Sequence, residues 1–112
     1  MSQITTHVLD TSVGKPAEGI AITLQQKSGD GWNTLATGIT NNDGRLTNLL
    51  EADKSLSLGD YRLIFETRSY FQQKNIQTFY PRITVEFELT NASHYHVPLL
   101  LNPFGYSTYR GS

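Results

Sequence analysis

Apolar and polar residues alternate with a period of two along most of this chain, and turn residues interrupt the alternation at short intervals. Successive strand side chains point to opposite faces, so the pattern dictates short strands with one face buried and the other wet. It is cleanest at Ile83, Val85, Phe87 and Leu89. Ile4, Thr6 and Val8 alternate with Thr5, His7 and Leu9 until Gly14 and Pro16 stop the strand. Ile20, Ile22 and Leu24 form another alternating set, closed by the hairpin signal Ser28-Gly29-Asp30-Gly31, with residues 32–40 as the partner strand. Asn41-Asn42-Asp43-Gly44 is the strongest turn, because Asn and Asp tolerate left-handed backbone and glycine favours it. It delivers Arg45 to a short strand at residues 46–50. Further strands are expected at 60–66, 94–101 and 105–109. Residues 68–73, with Thr67 as N-cap, form the one helical segment, about two turns long. About eight short strands and one brief helix give an all-β chain, a two-layer sandwich of antiparallel sheets, with a closed barrel as the competing architecture.

Composition sets the scale. Leu, Ile, Val and Phe supply 29 of 112 residues, enough to order one core, and residues 1–112 read as a single domain. The chain has no cysteine, which excludes disulfides and thiolate metal sites. Nine Lys and Arg against ten Asp and Glu, with no run of like charge, argue against nucleic-acid binding. The longest apolar stretch, residues 97–101, contains Pro98 and is far too short to cross a bilayer. The first residues show neither a basic nor an apolar leader region, so a cytoplasmic location is expected; a periplasmic one would need a leader peptide since removed.

The three histidines fall on strand faces that the pattern does not assign to packing. In the strand at 94–101, His94, His96 and Pro98 share one face, opposite Tyr95, Val97 and Leu99. His7 shares a face with Thr5, opposite Ile4, Thr6 and Val8. Ordinary surface or interface histidines would fit this pattern. A zinc site of His7, His94 and His96 is chemically possible, although no acidic partner stands beside them. Acid/base use is the third reading, because an imidazole changes charge near neutral pH. Arg45, after an exposed turn, would by itself be read as a solvated charge. The final seven residues carry two phenols, a guanidinium and three aliphatic hydroxyls, whereas frayed tails are usually bland. An ordered tail of this kind needs something to pack against, a subunit interface or a ligand.

The same segments carry a family likeness. THVLD near the start, the proline-containing turn after it, NNDGRL, HYHVPLLLNP and the terminal GYSTYRGS resemble the 5-hydroxyisourate hydrolases of the transthyretin-like family, from about Thr6 to Ser112. YRGS is the most specific mark. In transthyretin, a hormone carrier of the same fold, the positions like His7, Arg45 and His96 are typically Lys, Glu and Thr, and YRGS is absent. The resemblance implies a transthyretin-like sandwich of two four-stranded antiparallel sheets with one short helix, forming one hydroxyisourate hydrolase domain. It implies a homotetramer, a dimer of dimers, with sites between subunits. It further implies hydrolysis of a small purine-derived substrate in urate breakdown. There 5-hydroxyisourate loses a cyclic amide bond to water and becomes 2-oxo-4-hydroxy-4-carboxy-5-ureidoimidazoline, without metal or organic cofactor. His7, Arg45, His96 and Ser112 would be the catalytic residues, with Tyr109 and Arg110 joining His7 and Arg45 in binding substrate.

These residue types suit that chemistry. An imidazole pair can hold both the base that activates water and the acid that returns a proton. Arg45 offers a planar fork of donors to an oxygen-rich heterocycle and to developing negative charge. His94 is expected behind His96, in a lesser role. The alternative is a non-enzymatic transthyretin-like carrier of a small aromatic ligand, and the set His7, Arg45, His96 and YRGS separates the two.

Overall fold

The computed structural model describes residues 2–112. In chain order it forms Ile4–Asp10 (β1), Lys15–Pro16 (β2), Ala21–Ser28 (β3), Gly31–Ile39 (β4), Arg45–Leu46 (β5), Gly59–Phe65 (β6), the helix Thr67–Gln72 (α1), Ile83–Leu89 (β7), Tyr95–Asn102 (β8) and Gly105–Thr108 (β9). One sheet runs β2-β1-β8-β9, with β5 also paired to β1; the other runs β4-β3-β6-β7. Alternation does its expected work in β7, where Ile83, Val85 and Leu89 are buried while Thr84, Glu86 and Glu88 are exposed. Ile22 and Leu24 of β3, Tyr61, Leu63 and Phe65 of β6, Ile4 and Val8 of β1, and Leu99 and Leu101 of β8 complete the core between the sheets. Each such side chain contributes roughly 1.5–3 kcal/mol on burial.

The two-sheet sandwich is present, with differences of detail. Its sheets hold five and four strands rather than four each, because β2 and β5 add two-residue strands to β1. β1 and β8 are parallel, with Ile4 opposite Tyr95 and Asp10 opposite Leu101, whereas the other pairs are antiparallel. Parallel neighbours cannot share a hairpin, and here the whole second sheet serves as the crossover. The strand expected at 46–50 shrinks to Arg45–Leu46, and Leu49 and Leu50 are buried from a loop instead.

The helix begins one residue early, with Glu66 at the N-cap position and no side-chain cap, so Thr67 is not the cap. Packing replaces capping, as short helices require. Tyr70 and Phe71 are buried, and the Tyr70 hydroxyl donates to Asp10 Oδ2 at 2.8 Å, fastening the helix to the end of β1. Burial, reinforced by that carboxylate, pushes the Tyr70 phenol well above its usual range. Among the described residues no helix is long and apolar enough to cross a membrane.

Candidate active site

Strand register assembles the site. The turn at Asn41 to Gly44 is held by Asn41 Oδ1, which accepts from the backbone N–H of Asp43 and of Arg45 at 2.9 and 3.0 Å. Gly44 takes φ +72°, and its carbonyl accepts from Val8 N–H at 2.8 Å, clamping the turn over β1. A Cβ here would strike the Val8 carbonyl oxygen, so both the backbone conformation and the space demand glycine. This clamp sets Arg45 opposite His7 in the β1–β5 pair. The parallel β1–β8 pair then sets Thr5 opposite His96 and His7 opposite Pro98. Parity turns Thr5, His7, Arg45 and His96 to the outer face of the sheet, away from Ile4, Val8 and Val97.

On that face the three imidazoles form a row with His96 in the middle. Its ring lies 6.1 Å from that of His7 and 6.4 Å from that of His94, with planes 19° and 24° apart. His94 stands one residue before β8 rather than inside it, yet its ring keeps the row. Thr5, which sequence reasoning did not single out, is 2 % exposed, and its Oγ1 lies 2.8 Å from His94 Nε2 and 2.7 Å from His96 Nδ1. Its one sequence signal is parity with His7.

The tail folds back onto this row. Gly111 N–H donates to the His96 carbonyl at 2.8 Å, an isolated antiparallel bridge. A Cβ on Gly111 would stand 2.7 Å from His96 Cδ2 and 3.2 Å from Pro98 Cγ, so glycine is what lets the tail lie against the imidazole. Ser112 thereby enters a groove of about 320 Å³ shared with Thr5, Arg45, Thr47, His94 and His96. Tyr109 and Arg110 line a second groove, of about 450 Å³, with Phe87, Tyr95 and Val97 among its walls. There the Arg110 guanidinium carbon sits 4.2 Å from the centre of the Tyr95 ring. The structure thus gathers His7, Arg45, His94, His96 and Ser112, and sets Tyr109 and Arg110 along a neighbouring surface.

Burial and neighbouring charge favour the neutral form of both rings. Burial, and then the Arg45 guanidinium, lower the pKa of His7 below 6.5. Burial also lowers that of His96, followed by His7, Arg45 and His94. Both imidazoles are therefore neutral near pH 7 and able to accept a proton beside a guanidinium. Among the described residues no three His, Cys, Asp or Glu side chains are grouped as a metal ion would need. What the cluster offers from its own atoms is proton transfer, charge stabilisation and hydroxyl positioning.

The sequence model of the HIUase/Transthyretin family matches residues 4–111. The chain is 50% identical over 110 residues to the 5-hydroxyisourate hydrolase of Salmonella dublin, covering 97% of this chain and 80% of that protein. The structure of Klebsiella pneumoniae 5-hydroxyisourate hydrolase superposes with a TM-score of 0.85 at 37% identity, over 97% of this chain and 92% of that one. Sea bream transthyretin in complex with thyroxine superposes with a TM-score of 0.90 at 32% identity, over 98% and 95% of the two chains. A match that runs from β1 to the penultimate residue leaves no part of the sandwich outside it: the chain belongs to the HIUase/transthyretin family.

Proposed function

We propose that this protein hydrolyses 5-hydroxyisourate to 2-oxo-4-hydroxy-4-carboxy-5-ureidoimidazoline. The observation that carries the reading is the approach of the His7 ring to within 6.1 Å of the His96 ring, with Arg45 paired opposite His7 and lining one groove together with His96 and Ser112. In the reaction, the oxygen of a water bonds to a ring carbonyl carbon, the carbonyl oxygen takes up negative charge, and the carbon–nitrogen bond then breaks. His7 and His96 together take the water's proton and return one to the departing nitrogen. Arg45 presents its fork of donors to the developing oxyanion, and removal of one oxyanion-hole donor from an enzyme costs about 2.7–4 kcal/mol. Arg110, stacked on Tyr95, anchors the tail so that Gly111 bridges to His96 and Ser112 delivers its hydroxyl to the groove. Tyr109 flanks the substrate in the assembled protein.

The working assembly is a homotetramer, a dimer of dimers, with sites at subunit interfaces. Phe79, Phe104, Tyr106 and Tyr109 are 70, 66, 43 and 57 % exposed, which supports burial against partner subunits. The test is the near-ultraviolet absorbance of freshly generated 5-hydroxyisourate. Catalytic amounts of protein should speed its loss; decay at the uncatalysed rate would replace the enzyme with a carrier of a small aromatic ligand. Light scattering that returned a fully active monomer would remove the interface site.

A further inference from the structure

Thr5 Oγ1 sits between His96 Nδ1 at 2.7 Å and His94 Nε2 at 2.8 Å, from a side chain that is 2 % exposed. A hydroxyl owns one hydrogen. Held between two imidazole nitrogens, it donates to one and accepts from the other, so one nitrogen is bare while its counterpart carries a proton. When His96 Nδ1 holds that proton, Thr5 donates to a bare His94 Nε2, and a neutral His96 keeps a bare, basic Nε2 for the groove. When His94 Nε2 holds it, Thr5 donates to His96 Nδ1, and a neutral His96 offers an N–H instead. The tautomers of the two rings are thus coupled through one buried hydroxyl. Among the described residues, no hydroxyl bonds the His7 ring in this way.

We infer that His96, Thr5 and His94 form a proton relay for the ring opening, with Thr5 as its positioning residue, an inference that rests on the hydrolase reading. His96 Nε2 takes the proton of the water as its oxygen bonds to the ring carbonyl carbon. The Nδ1 proton of His96 then passes to Thr5 Oγ1, whose own proton moves to His94 Nε2. One proton has entered at His96 and one has arrived at His94, and the hydroxyl is restored. The positive charge has moved from a half-buried ring to an exposed one. That direction is electrostatically downhill, because burial and then repulsion from His7 and Arg45 oppose charge on His96. Reversal returns a proton through His96 Nε2 to the nitrogen released when the carbon–nitrogen bond breaks.

Two substitutions and two readouts test the relay. Thr5→Val keeps the branched shape without the hydroxyl and should lower kcat about 10-fold or more, with KM within about twofold. Thr5→Ser keeps the hydroxyl and should hold kcat within about threefold of wild type. Imidazole ¹⁵N spectra of the resting full-length protein should show complementary protonation of His96 Nδ1 and His94 Nε2, lost in Thr5→Val and kept in Thr5→Ser. A Thr5→Val protein with kcat within about twofold of wild type, or a Thr5→Ser protein as damaged as Thr5→Val, would overturn the relay. So would spectra unchanged by removing the hydroxyl. Absence of turnover in the wild-type protein would instead fail the hydrolase reading, and the spectra alone would then decide whether the tautomers are coupled.

Discussion

Gly111→Ala measures how closely the tail sets His96. The added Cβ would lie 2.7 Å from His96 Cδ2, and an ordinary contact starts at 3.4 Å, so ring or tail must yield by about 0.7 Å. Gly111 is not among the glycines with positive φ, so alanine meets no backbone strain and the effect comes from the contact alone. The ring has little room to move. Its Nδ1 is held by Thr5 at 2.7 Å, and a displacement of that size takes the bond toward the outer limit of hydrogen-bond length. Were the tail to move instead, the 2.8 Å bridge from Gly111 to His96 would open and Ser112 would leave the groove. Either way the reacting groups lose register. A misplacement of 1 Å can cost about 100-fold, so we expect kcat to fall about 10- to 100-fold. The stability cost should stay near that of one hydrogen bond, about 0.5–1.5 kcal/mol. The assay is 5-hydroxyisourate decay resolved into kcat and KM, with thermal unfolding of the same preparation. An alanine protein with kcat within about twofold of wild type would show that contact with the tail does not position His96.

Four further outcomes follow from the same geometry. His7→Ala, Arg45→Ala and His96→Ala should each lower turnover about 100-fold or more while light scattering still reports the same folded assembly as wild type, and His94→Ala should be milder, about 10-fold. Equal losses from His94 and His96 would contradict their ranking. Because burial and neighbouring charges hold the pKa values of His7 and His96 below that of a free imidazole, the acid limb of kcat/KM should have its midpoint below pH 6.5. Just below pH 6.5 the unfolded chain binds more protons than the folded one, so stability also falls as the pH falls there; an acid limb with its midpoint at or above pH 6.5 would refute the assignment. Protein stripped of metal by chelation should keep its activity, and a loss restored by zinc would revive the three-histidine zinc site. Gly44→Ala should cost about 1–3 kcal/mol or more by thermal unfolding, from strain at φ +72° and the clash with the Val8 carbonyl, and wild-type melting would refute the clamp.

What could be read along the chain was whatever lies on one strand or in one turn. The alternation at Ile83 to Leu89 is a core pattern because each strand residue has only two directions to point, and the burial of β7 follows it. The same parity put His7 and His96 outside the core, and the NNDG turn announced its glycine. Pairing could not be read that way. Period-two patterning is blind to whether a neighbour runs parallel, so the β1–β8 register, and with it the approach of Thr5 to His96 across 91 positions, was out of reach. Two-residue strands such as β5 are too short to alternate, and the apolar Leu49 and Leu50 suggest a longer strand although they are buried from a loop. Local preference favours Thr67 as a cap, but the burial of Tyr70 and Phe71 decides where the helix starts.

The outward position of the cluster explains how one scaffold supports different roles. The chain superposes on a thyroxine-bound transthyretin as well as on a hydrolase, with TM-scores of 0.90 and 0.85, so backbone shape does not separate the two. The inner residues of β1 and β8 hold the sandwich, and His7, Arg45 and His96 project from the other side of the same sheet. Changing them leaves the core contacts in place, and their loss is expected to cost chemistry before it costs folding. Thr5 is the exception, because it lies on the outer face and is nonetheless buried beneath two of the imidazoles. Its hydroxyl is thus the point where packing and proton transfer meet, and a substitution there must preserve shape to expose the chemistry.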